Sequence, residues 1–211
     1  ALPPLPHPTP LPTCTPRNAV IGMIGLLRET DLTAEQENYA KIADASGRTL
    51  LSIIDEILDT SKIESGRLAL ESKPFDVLAL AENVIELLAP RAHAKGIEIS
   101  SRVTSNAPAK ITGDEHRTRQ ILFNLCGNAI KFTEAGGVAL DIDYDTASAA
   151  LAIDITDTGI GMSPEEMLHI FDEYAQANST TARRFGGTGL GLSISKKLIE
   201  GMGGRIVVSS R

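Results

Sequence analysis

Three clusters in this 211-residue chain combine residue types and spacings that can do chemistry. The first is Asn124-Leu-Cys-Gly-Asn128-Ala-Ile-Lys131. On a helix, steps of four and three place Asn124, Asn128 and Lys131 on one face. Ile121, Leu122, Leu125 and Phe132 give the same helix an apolar side. Two amide oxygens beside an ammonium suit Mg²⁺ and the phosphates it bridges, because Mg²⁺ takes oxygen ligands and keeps waters. The plainer alternative is a pair of capping or solvated asparagines beside a surface lysine.

The second cluster is Asp157-Thr-Gly159-Ile-Gly161. A carboxylate there can accept a proton from an exocyclic amine, and Gly159 and Gly161 let a flat base approach the backbone. Adenine offers such an amine where guanine presents an acceptor, so the pairing favours adenine; an ordinary turn is the alternative. The third cluster is Phe185-Gly186-Gly187-Thr188-Gly189-Leu190-Gly191-Leu192-Ser193, opening a helix. Glycines before a helix N-terminus expose amides to a polyphosphate, and the helix dipole assists. Leu192 stands where a Walker A loop needs lysine, and the glycine spacing is not the dinucleotide fingerprint. The preceding polar stretch, residues 178–184, ends in Arg183-Arg184 and reads either as a mobile lid bringing a cation over a γ-phosphate or as a solvated loop.

These clusters need elements to hold them. Alternating Leu151, Ile153 and Ile155 predict a half-buried strand ending at the Asp157 loop. Further strands fit 68–72, 97–103, 138–144 and 205–209, and helices fit 76–95, 114–132, 164–172 and 188–202. The alternation lacks a regular βαβ rhythm, so the expected class is α+β, a two-layer sandwich over residues 67–211. Before it, residues 17–66 read as a helical hairpin. Thr33 and Gln36 have the form of a capping box, and Tyr39, Ile42, Leu50, Ile53, Ile54 and Ile57 recur at helical steps. A hairpin with one apolar stripe cannot cover itself, so a homodimeric four-helix bundle is expected; packing on the rest of its own chain is the alternative. Residues 1–16 hold seven of the eleven prolines and read as an irregular segment.

Composition bounds the rest. A net charge of −7 and only 4% aromatic residues argue against a nucleic-acid partner. No apolar run approaches the roughly 20 residues that span a bilayer, so no membrane contact by this stretch is expected. Cys14 and Cys126 form no metal or disulfide pattern, which favours a reducing, cytoplasmic setting.

NLCGNAIKF, DTGIGM, IFDEYAQ and GGTGLGLS, in this order, resemble the N, first glycine, F and second glycine boxes of bacterial sensor histidine kinases. The resemblance covers about residues 67–211 and implies the Bergerat ATP-binding fold shared with gyrase. It implies that Asn124, Asn128 and Lys131 serve Mg²⁺ and phosphate, that Asp157 serves the adenine, and that Gly187, Thr188, Gly189, Leu190 and Gly191 form the lid hinge. Arg183 and Arg184 would join Lys131 in neutralising charge. The gyrase-type hydrolases carry a glutamate base where this chain has Asn124, so kinase is favoured over hydrolase. Thr15-Pro16-Arg-Asn18-Ala19 resembles the end of the family's H box, implying a dimerisation and phosphotransfer hairpin with a response-regulator receiver domain as partner. That alignment puts Leu11 at the phosphoacceptor position, with His7 the nearest histidine. Either the first sixteen residues are not the native N-terminus, or the chain is an acceptor-less pseudokinase acting as a nucleotide-gated module. The chain also stops before the final hairpin partner the family fold would provide, and so is expected to be a fragment of a longer protein, with or without a membrane anchor.

Overall fold

A computed structural model describes residues 15–64, 69–172 and 189–210. The chain divides into two compact units at Leu58/Asp59.

The first unit is helical: it holds α1, Thr15–Arg28, and most of α2, Ala34–Glu64, whose last six residues fall in the second unit. The expected capping box is present at the start of α2. Gln36 N donates to Thr33 Oγ1 at 3.2 Å, and Thr33 N donates to Gln36 Oε1 at 2.9 Å. Arg28 at the end of α1 pairs with Glu37 in the first turn of α2 at 3.1 Å, across the turn that joins them. A Cβ on Gly47 would lie 2.5 Å from Ile21 Cδ1, so the absent side chain lets the two helices approach. Much of the apolar surface stays uncovered: Val20, Met23 and Leu26 on α1 and Tyr39, Ile42 and Leu50 on α2 are each more than half exposed.

The second unit is α+β. Its elements are β1 (Lys73–Asp76), α3 (Val77–Ala94), β2 (Glu98–Val103), β3 (Lys110–Gly113), α4 (Glu115–Phe132), β4 (Gly137–Asp145), β5 (Ala150–Asp157), α5 (Pro164–His169) and α6 (Gly191–Gly201). A mixed sheet runs β2-β4-β5, with β2 parallel to β4 and β4 antiparallel to β5. β1 and β3 form a separate antiparallel pair. Helices α3 and α4 bury Leu80, Val84, Leu88, Leu122, Cys126 and Ile130 against Leu140 and Ile142 of β4. A second cluster joins Ile121 of α4 to Leu190, Ile194 and Leu198 at α6.

Two expected strands are not found where the sequence placed them. The first ladder starts at Lys73, where β3 lies opposite 73–76, while residues 69–72 join no ladder among the described residues and Leu68 lies outside them. Residues 205–209 form no ladder, although Arg205–Ser209 has the composition of a strand. Periodicity signals an apolar face but cannot supply the neighbour that a strand needs.

Candidate functional site

Helix α4 carries the first cluster, and its beginning and end are both pinned. At its start Asp114, 5% exposed, accepts hydrogen bonds from Arg117 N and Glu71 N, each at 3.0 Å. Burial pushes the Asp114 carboxyl up, but these two amides, with the charges of Arg117 and His116, hold it below its ordinary value. At the C-terminal end, carbonyls that α4 cannot satisfy itself find partners elsewhere. Lys95 Nζ donates to Ile130 O at 2.7 Å, Lys131 O at 2.9 Å and Thr133 O at 2.7 Å. Ile160 N donates to Phe132 O at 3.3 Å.

Between these ends the polar face is formed as the spacing predicts. Asn124 Nδ2 donates to Ser195 Oγ of α6 at 2.8 Å, and Asn128 Nδ2 approaches Asn124 Oδ1 at 3.4 Å. Both asparagines are half-buried. Lys131, one turn further, holds its ammonium 4.8 Å from the centre of the Phe132 ring, and burial lowers its pKa from the ordinary lysine value.

The Asp157 loop is tied to the same end of α4. Gly159 N donates to Asp157 Oδ1 at 2.8 Å. A Cβ on Gly159 would lie 2.7 Å from both Asp157 Oδ1 and Phe132 O, so only glycine lets the loop close on the helix. Thr158 Oγ1 donates to Ala135 O at 2.8 Å and accepts from Gly137 N at 3.0 Å, fixing the loop to the turn before β4. Gly161 has φ +67°, a left-handed conformation that suits glycine. The Asp157 carboxylate is exposed, and its Oδ2 has no hydrogen-bond partner among the described residues.

Of the third cluster the described residues include Gly189, Leu190 and Gly191. Gly189 has φ +72°, Leu190 is buried against α4, and Gly191 lies against the Asn124 amide. Gly187, Thr188, Arg183 and Arg184 lie outside the described residues, as do His7 and Leu11. His93 and His116 are exposed, and exposed His169 pairs with Asp172 at 2.8 Å. The structure therefore brings Asn124, Asn128 and Gly191 together, and ties Asp157 to the end of α4 where Lys131 sits. Sequence reasoning missed Lys95 and Ser195. Ser195 had a signal, its four-residue step from Gly191; Lys95 had none, since nothing in the sequence tells which carbonyls a surface lysine reaches.

Two family descriptions match the chain. Residues 15–66 match the His Kinase A (phospho-acceptor) domain, and residues 113–211 match the histidine kinase-, DNA gyrase B- and HSP90-like ATPase family. The chain belongs to the sensor histidine kinases. It is similar to the sensor protein GacS of Pseudomonas syringae pv. syringae, 46% identical over 93% of this chain and 22% of GacS. It is also similar to the signal transduction histidine-protein kinase BarA of Escherichia coli K12, 40% identical over 93% of this chain and 22% of BarA. The chain thus spans about a fifth of these relatives' length. Among solved structures, full-length ShkA in complex with AMPPNP shares 42% identity over 90% of this chain and 39% of ShkA, with a TM-score of 0.74. The Acinetobacter baumannii histidine kinase AdeS, at 22% identity and a TM-score of 0.67 over 93% of this chain and 89% of its own, shares the fold. The chain is a histidine kinase catalytic core: a helical N-terminal region followed by the α/β unit that carries the candidate site. No helix among the described residues is long and apolar enough to cross a membrane.

Proposed function

We propose that the chain binds ATP with Mg²⁺ on the polar face of α4 and transfers the γ-phosphoryl group to a histidine, from which it passes to a response-regulator aspartate. The observation that supports this most directly is the polar face of α4, with two half-buried amides and a partly desolvated ammonium, together with a loop, tied to the C-terminal end of that helix, whose carboxylate has an oxygen without a hydrogen-bond partner among the described residues.

Adenine would be read by Asp157, whose Oδ1 accepts from Gly159 N, which leaves Oδ2 to accept from the amine. The donor set suits Mg²⁺: Asn124 and Asn128 offer neutral oxygens, and hard cations of this kind take their remaining ligands from phosphate and water. Among the described residues no group of three or more His, Cys, Asp or Glu side chains could hold a metal ion alone. Bound there with the nucleotide, Mg²⁺ would neutralise phosphate charge.

Lys131 is placed to hold the charge that spreads over the transferring phosphoryl oxygens, and its partial burial strengthens that attraction. Arg183 and Arg184 are assigned the same work from the lid. In the transfer an imidazole nitrogen bonds to the γ-phosphorus while the bond to the β-bridging oxygen breaks and ADP leaves. The chain's own contribution is alignment and charge neutralisation. Asn124 cannot take a proton from water as a glutamate would, which favours transfer over hydrolysis. The partners proposed are a second copy of the hairpin, whose exposed apolar stripe calls for a cover, and a receiver domain.

The test supplies Mg·ATP to the full chain, together with a family hairpin that carries histidine at the position of Leu11. The expected product is a phosphoprotein whose label is lost in acid and kept in base, and which is not formed by Lys131→Met. Steady release of inorganic phosphate without phosphoprotein would instead indicate a hydrolase.

A further inference from the structure

The Asn124 amide lies in a slot made by α6. Gly191 and Ser195 are four residues apart and share a face of that helix, and both meet the amide. Ser195 Oγ accepts from Asn124 Nδ2 at 2.8 Å. At Gly191 a Cβ would come within 2.5 Å of Asn124 Oδ1 and 3.0 Å of Cγ and Nδ2, so the amide, its oxygen nearest, rests against bare backbone. Ser195 is 2% exposed, and a buried hydroxyl is kept only with a hydrogen-bond partner. Ser193, also buried two residues earlier, returns its own hydroxyl to Leu190 O at 2.8 Å. The bond to Asn124 is therefore particular to Ser195 rather than general to buried serines of α6.

An asparagine amide has two chemically opposite ends of nearly equal size, and packing alone does not choose between them. With Nδ2 held by Ser195, Oδ1 turns to the side where Asn128 lies. Turned the other way, the amide would present N–H donors to a cation. We propose that Ser195 is a positioning residue that orients the Asn124 amide, presenting its oxygen rather than its nitrogen to the divalent cation accompanying the nucleotide. This rests on the nucleotide reading given above. Partners behind a metal ligand commonly change metal affinity about tenfold or more when removed.

The test is calorimetric titration of the full chain with AMPPNP, once in MgCl₂ and once in EDTA. The variants are Ser195→Ala, the near-isosteric Ser195→Cys, Asn124→Ala, and Ser195→Ala combined with Asn124→Ala. The expected result is that Ser195→Ala lowers affinity in MgCl₂ by roughly tenfold and leaves affinity in EDTA within about twofold. In the Asn124→Ala background it has no further effect, because it acts through that amide. Ser195→Cys, which keeps volume but is a weak acceptor, follows Ser195→Ala and covers the case in which the alanine variant does not fold. Equal losses in MgCl₂ and EDTA, additive losses with Asn124→Ala, or a wild-type-like Ser195→Ala would each overturn the proposal. Wild-type protein that binds no AMPPNP at all would overturn the nucleotide reading, and this inference with it.

Discussion

Lys131 and Asp157 sit at the same end of α4 but answer to different physics. Burial lowers the pKa of Lys131, while a neighbouring phosphate favours its charged form. Binding should therefore take up protons as pH rises toward the lowered pKa, and nucleotide affinity should fall as pH rises through it. Titrations across an alkaline pH series should show this slope in the wild type and a flatter one in Lys131→Met. In the proposed reading Asp157 acts by matching donor to acceptor. Asp157→Asn replaces one acceptor oxygen with a donor facing the adenine amine, and a mismatched polar contact of that kind costs about 1–3 kcal/mol. AMPPNP affinity is expected to drop about tenfold or more, with the thermal midpoint of the free protein little changed. The placement of Lys131 on α4 and of Asp157 at the end of β5 was legible in the sequence because their spacing follows the helix repeat and the strand end. Ser195 and Lys95 were less so, because their partners are 71 and about 36 residues away along the chain.

At the scale of elements the site depends on how α4 is anchored. Asp114 caps its start with a carboxylate held below its ordinary pKa. A depressed carboxylate adds stability that is present above its unfolded pKa and lost as pH falls through the folded value. Denaturant midpoints should thus decline below about pH 4, and less steeply in Asp114→Asn. Asp114→Ala should cost about 1–2 kcal/mol, read by urea unfolding at neutral pH. At the other end, Lys95→Met leaves three carbonyls without their shared ammonium donor. Faster amide hydrogen exchange is expected at Thr133 and Ile160, with β4 amides unaffected. The helices were readable because caps and periodicity are local. The strands at 68–72 and 205–209 were misplaced because a ladder is a property of two segments, and one segment cannot reveal its partner.

For the whole molecule, the hairpin and the α/β unit pose separate problems of burial. The α/β unit closes its own core, with Leu80, Leu88, Leu122, Leu140 and Leu198 each at most 1% exposed. Leu122→Ala should cost about 2–5 kcal/mol. The hairpin leaves Val20, Met23, Tyr39 and Ile42 open, which the proposed dimer would cover. Sedimentation should find a dimer that dissociates when Met23 and Ile42 are both changed to lysine. The two-part organisation was visible because an apolar helix repeat gives way to short alternating strands beyond Gly66. The phosphoacceptor was not visible, since Leu11 stands where the resemblance places it, and the family match begins only at residue 15.

In the proposed reading the polar face of α4 and the Asp157 loop together bind ATP. The most direct measurement is calorimetric titration of the full chain with AMPPNP in MgCl₂, run beside Asp157→Asn. Saturable binding of one nucleotide per chain, weakened at least tenfold in the variant, is the predicted result. No binding, or equal affinity in both proteins, would contradict it.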